Sequence, residues 1–329
     1  MTHHTQHQNH KRNKNFWIII FLALLAVSGV IFWFNLGNPK GVPGAKSAPT
    51  STKSNPVKVQ TREKPYISVT PSVVEQGNPA LITVEGATTT QSVQSFTFDN
   101  RPLYIFLHEG QVSALLGVEL RAIPGTYPLV ITFKDGRQIK ENLVIEERPV
   151  VQKPFDIPEK LGGNTYASER ELISTLALEG KIINALPVVW EKLWTEKFGS
   201  PLKGPLVVAD DYGYTRLIGK STTMPHKGTD LEAPMGTPVY AMNRGVVKFA
   251  SSLRNYGDTV IIDHGAGLQT VYMHLSKINV SLEQKVEKGD LIALSGDSGY
   301  TLNPHLHLTI RIWDISIDAM KFMEILGEN

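Results

Sequence analysis

Between Phe16 and Leu36 the chain reads FWIIIFLALLAVSGVIFWFNL, with no charged residue. At 1.5 Å of rise per residue, a helix over this stretch spans the roughly 30 Å hydrocarbon core of a bilayer. Phe16 and Trp17 stand at one end and Phe32, Trp33 and Phe34 at the other, as aromatic belts do at the two interfaces. The run is longer than a secretory apolar region and no small-x-small cleavage site follows it, which favours a retained anchor. Lys11, Arg12 and Lys14 precede it, so residues 1–15 read as a cytoplasmic tail, 16–36 as the membrane anchor, and the rest as extracytoplasmic, on the periplasmic or cell-wall side. His3, His4, His7 and His10 lie in the tail, where nothing nearby would fix a ligand geometry. Residues 37–64 are rich in Pro, Gly, Ser, Thr and Lys and form a flexible linker. Its contour is about 90 Å and its r.m.s. span about 30 Å.

The remainder has to be globular. At 41% hydrophobic residues the chain can build cores, and its length suggests about two domains. The absence of cysteine excludes disulfides, thiolate metal sites and cysteine nucleophiles. A formal charge of +2 gives no polyanion-binding surface, so nucleic acid is not an expected partner. Any chemistry must rest on histidine, carboxylates, hydroxyls or a metal held by nitrogen and oxygen.

Residues 65–148 read as short strands, at Ala80–Val84, Ser95–Phe98, Leu103–Leu107, Val112–Val118, Tyr127–Phe133 and Ile139–Ile145. Turn signals such as Asp99-Asn100, Glu109-Gly110 and Asp135-Gly136 separate them, which predicts an antiparallel β-sandwich. His108 is alone there, so this module reads as a spacer or a docking surface for an envelope-assembly partner. Residues 149–200 read as a helical connector, with Ser168 and Glu171 at capping-box spacing. Trp190, Leu193, Trp194 and Phe198 form an apolar strip that packs on a neighbouring domain or covers a groove.

From residue 201 to 329 the remaining histidines gather in short, Gly- and Pro-punctuated β segments. In HLHLTIRI, strand alternation puts His305, His307, Thr309 and Arg311 on one face and Leu306, Leu308, Ile310 and Ile312 on the other. The same rule groups Thr270, Tyr272 and His274 against Val271, Met273 and Leu275. His226 and Asp230 are four apart, but Pro225 and Gly228 favour a loop entering a strand. Two histidines and one aspartate would give zinc three ligands and leave a position for water, the pattern of a catalytic site. The H-E-x-x-H helix of other zinc proteases is absent from the sequence.

The stretches HKGTDLEAPMGTPVYAMNRGVV, DTVIIDHGAGLQTVYMHLS, VEKGDLIALSGDSG and NPHLHL cover most of this region. Through them, residues 201–324 resemble the lysostaphin/LytM-type zinc metallopeptidases, which hydrolyse peptidoglycan cross-links. The resemblance implies a mainly β chain ending in a compact antiparallel β peptidase domain. It implies zinc on His226, Asp230 and His307, with His274 and His305 contacting the nucleophilic water and the developing oxyanion. It further implies peptidoglycan stem peptides as substrate. His264 also matches a family position, but DHGAG reads as a turn and a structural role is expected. Leu302-Asn303 stands where the family usually has Thr-Gly, and Leu308-Thr309 where it often has Phe-Glu. Its Phe-Gly and Arg stretch survives only as Tyr212 to Arg216. These departures are expected to alter groove walls rather than ligation. The alternative is a non-catalytic relative that binds peptidoglycan or activates a hydrolase, and such relatives typically lack metal residues that this chain retains.

Overall fold

The computed structural model describes residues 64–218 and 222–328. The tail, the apolar run and almost all of the linker read from the sequence lie outside these residues. Among the described residues no helix is long and apolar enough to cross a membrane.

The first half of the described chain makes two sheets that share one core. One has four strands in the order Tyr66–Thr70, Pro79–Glu85, Gln111–Gly117 and Phe106–His108. The other runs Val73–Glu75, Gln138–Glu146, Gly125–Phe133, Val93–Phe98 and Arg101–Pro102. Their inward residues, among them Ile82, Val112, Phe96, Leu129 and Leu143, are buried together. Asp99-Asn100 and Glu109-Gly110 adopt positive φ in two-residue hairpin turns, the conformation such turns demand. The expected strand Leu103–Leu107 is not continuous. Phe106 and Leu107 belong to the strand Phe106–His108, whereas Leu103, Tyr104 and Ile105 link it to Arg101–Pro102 in the other sheet.

The connector contains one long helix, Tyr166–Asn184. Its N-cap is Thr165, whose side chain accepts a hydrogen bond from the Ser168 backbone. The capping box expected at Ser168 and Glu171 is therefore not formed. The chain already turns helical at Tyr166, and Ser168 instead bonds to Thr165 and to the Gly162 carbonyl.

The C-terminal half is built on a ten-stranded, mainly antiparallel sheet. At its centre Leu268–Ile278 lies between Leu306–Ile312 and Gly257–Asp263, and Thr229–Leu231 flanks Leu306–Ile312. Leu306, Leu308, Ile310 and Ile312 turn into the main core with Leu268, Tyr272, Trp194, Phe198 and Phe322. Burying each such side chain contributes about 1.5–3 kcal/mol. Trp194 and Phe198 thus pack inside this core. Trp190 is 59% exposed and stacks on Tyr104 and Trp313. The apolar strip does not cover the groove. What faces the opposite side of the sheet is the long helix, through Ile183 against Ile261, Val271 and Met273.

Candidate metal centre

His226 follows the short strand Thr222–Pro225, and its backbone N–H donates to the Tyr214 carbonyl at 2.7 Å. Asp230 sits in the strand Thr229–Leu231, directly opposite His307 in antiparallel register. Gly228 lies between them because a Cβ there would stand 2.2 Å from His307 Nε2 and 2.6 Å from Thr309 Oγ1.

Three donor atoms converge. His226 Nε2 lies 3.1 Å from Asp230 Oδ1 and 3.2 Å from His307 Nδ1, and His307 Nδ1 lies 2.6 Å from Asp230 Oδ1. The other ring nitrogens are already committed. His226 Nδ1 donates to the Asp211 carbonyl at 2.8 Å, and His307 Nε2 meets Thr309 Oγ1 at 3.1 Å. With these protons so placed, His226 Nε2 and His307 Nδ1 both present lone pairs, and two lone pairs at 3.2 Å do not hydrogen-bond. A divalent cation among them resolves that conflict. At the 2.0–2.1 Å bond lengths of tetrahedral zinc the donors would be about 3.3 Å apart, close to two of the spacings found, 3.1 and 3.2 Å, and wider than the third, 2.6 Å. The residues fit a zinc ion.

The surrounding charges support the same donor set. Arg216 Nη2 holds the other carboxylate oxygen of Asp230 at 2.7 Å and is itself held by Asp210 at 3.1 Å and stacked over Phe155. Burial lowers His307 to about 4, which keeps its imidazole neutral as a ligand must be. Arg216 is more than a groove wall. It touches the proposed ligand carboxylate, a role its place in the Tyr212–Arg216 stretch did not reveal.

His274 and His305 flank this triad, with ring centroids 5.0 Å apart, and His274 lies 5.7 Å from His307. His274 Nδ1 donates to the Ser298 carbonyl and His305 Nδ1 to the Asn303 carbonyl, both at 2.8 Å. His305 Nε2 stands 3.4 Å from Asp230 Oδ1. Burial, reinforced by the neighbouring imidazoles, lowers His274 well below the ordinary histidine value. For His305 burial opposes the charge, but Asp230 outweighs it and raises the pKa.

The face assigned to His274 by alternation needs correction. Thr270 and Tyr272 turn to the core side, where Tyr272 is fully buried and bonds to the Met242 amide. His274 has φ +59°, and the pairing with Gly257–Asp263 slips a register between Asp258 and Val260. This β-bulge swings His274 across the strand to the side of Val271 and Met273. His264 belongs to neither histidine group. It is fully buried, bonded through Nδ1 to the Arg244 carbonyl and through Nε2 to Thr270, and it packs edge-on to Phe198.

Two clefts meet at the triad. One of about 710 Å³ lies between the sheet and the helix Tyr166–Asn184, lined by Ile183, Asn184, Met273, His307 and Arg311. The other, of about 610 Å³, is lined by Asp230, Met235, His274, Tyr300 and His305.

Residues 224–319 match Peptidase family M23. The peptidoglycan DD-endopeptidase ShyA of Vibrio cholerae is 44% identical over 97 residues, which are 30% of this chain and 23% of ShyA. The DD-carboxypeptidase/endopeptidase Mpg of Neisseria meningitidis is 37% identical over 124 residues, 37% of this chain and 28% of Mpg. The chain thus spans only about a quarter of the length of these curated relatives. A crystal structure of a candidate M23 peptidase from Pseudomonas aeruginosa aligns with a TM-score of 0.53 at 25% identity, covering 77% of this chain and 95% of that one. That likeness extends well beyond residues 224–319, into the upstream sheets. With the motif, the relatives and the fold in agreement, the chain carries a Peptidase family M23 domain, and both histidine groups lie inside it.

Proposed function

We propose that this chain is a zinc-dependent endopeptidase that hydrolyses peptide cross-links of peptidoglycan. The observation that carries the reading is the convergence of His226 Nε2, Asp230 Oδ1 and His307 Nδ1 to within 3.2 Å of one another, beside two further imidazoles. A zinc ion held there would supply Lewis acidity and lower the pKa of a coordinated water toward 7. Asp211, Thr309 and Arg216 fix the tautomers and the free oxygen of the three ligands. Ser298 and Asn303 anchor the Nδ1 protons of His274 and His305, leaving each Nε2 to accept a proton in its neutral form and to donate one when charged. Between them, these two imidazoles take the proton of the attacking water and return it to the departing amine. The names of ShyA and Mpg, both endopeptidases, support peptide cross-links as the substrate class. We place the domain outside the membrane on the anchor 16–36, with the sandwich available to an envelope partner.

His307→Ala should lose both bound zinc and cleavage of purified peptidoglycan. His305→Ala should keep most of its zinc, by elemental analysis, and lose cleavage by at least about a hundredfold. Wild-type cleavage rates in His305→Ala, or wild-type zinc in His307→Ala, would overturn the assignment.

A further inference from the structure

We propose that Arg311 forms a carboxylate-binding subsite in the groove, and that Asn184 fills this subsite in the closed chain. The inference rests on the peptidase reading and adds a substrate feature to it. Arg311 shares a strand and a face with His307, four residues away, or about 13 Å at 3.3 Å per residue. It lines the 710 Å³ cleft that also reaches His307 and His274. Its side chain is buried, with only 5% of the residue exposed, yet Nη1 has no hydrogen-bond partner. Among the described residues Arg311 makes no ion pair, and Asp314 offsets its desolvated charge only from a distance and in part. Burial lowers its pKa, the direction expected of an unpaired guanidinium. Two other residues of its lining, Arg216 and Tyr300, also hold buried polar atoms without a partner, Nε and OH.

Nη2 of Arg311 does have a partner. It donates to Oδ1 of Asn184, the last residue of the helix over the cleft. A side-chain amide offers one neutral oxygen. A carboxylate offers two charged ones, in the planar spacing that a guanidinium fork binds bidentately. A substrate carboxylate can therefore displace Asn184 and satisfy both terminal nitrogens. The ligand is a stem peptide whose carboxylate lies about 13 Å from the hydrolysed bond, roughly four extended residues.

The test compares two probes on the zinc-loaded full chain. One is a cross-linked stem-peptide dimer with free carboxylates, and the other is the same dimer after carbodiimide amidation. The wild-type chain should prefer the free acid by at least about tenfold in kcat/KM, expressed in KM. Arg311→Gln should bring the ratio to within about twofold of unity. Asn184→Ala, at an exposed position that should fold normally, should increase the ratio by removing the internal competitor. Calorimetric affinities for the two dimers read the same preference even where nothing is cleaved. Equal rates and affinities for the two probes, or an undiminished preference in Arg311→Gln, would overturn the subsite. Failure to cleave either dimer while the binding preference persists would instead overturn the peptidase reading alone. A structural arginine that only pins the helix would shift stability without moving the acid-to-amide ratio.

Discussion

Gly228 decides how closely His226 and Asp230 can approach His307, since any side chain there would strike the imidazole. Single residues set the protonation of the domain as well. His264 is fully buried and its pKa is lowered to about 4 by desolvation, against about 6.5 in an unfolded chain. Between those values the unfolded state binds a proton that the folded state refuses. Stability is therefore full above about pH 6.5 and falls as the pH drops to about 4, by on the order of 3 kcal/mol. The stability gap between wild type and His264→Gln, from urea titrations, should narrow over that interval. A gap constant from pH 7 to 4 would show that His264 does not titrate as its burial requires. At this scale the sequence was informative about residue types and silent about partners. His226, Asp230 and His307 carried a visible spacing, whereas Arg216, Asp211 and Thr309 act through contacts that only folding creates.

Elements explain where pattern reading holds and where it breaks. Alternation along Leu306–Ile312 is clean because both faces are committed, one to the core and one to the groove. Along Leu268–Ile278 the same rule fails at His274, since one left-handed residue inverts the faces beyond it and leaves no trace in polarity. The aromatic strip packs on the neighbouring domain, as expected, and does not cover the groove. Apolar residues must be buried, but their sequence does not say against which surface, and Trp194 and Phe198 chose the main core. The helix Tyr166–Asn184 took the groove side with a modest apolar face of Leu172, Leu176 and Ile183. Where substrate enters the larger cleft past this helix, activity scales with the undocked fraction. Ile183→Glu places a charge where Ile183 is buried and should raise the rate on whole sacculi at least about threefold, with unchanged zinc content. An unchanged rate in a turbidity assay would mean that the docked helix does not limit access.

The described molecule is more integrated than its modular sequence suggests. Phe106 and Leu115 of the upstream sheets sit in the same core as the peptidase strands. Arg148, at the expected domain boundary, donates to the Gln76 carbonyl at 2.8 Å and to Asp318 at 3.1 Å, and it stacks over Tyr212. Both members of the Arg148–Asp318 pair are largely buried, so Arg148→Ala strands a carboxylate at a cost of about 3 kcal/mol. Residues 64–329 should unfold in one urea transition, which this variant shifts as a whole. Two separable transitions would contradict a shared core. The peptidase domain was legible because its motifs, within residues 224–319, are local. The union of sandwich and peptidase was not, because it depends on contacts between segments far apart in sequence. Anomalous diffraction at the zinc edge from zinc-loaded crystals locates the proposed ion directly. The expected result is a single strong peak about 2 Å from His226 Nε2, Asp230 Oδ1 and His307 Nδ1. A peak held instead by His274, His305 and His307, or no peak in a protein that cleaves peptidoglycan, would contradict it.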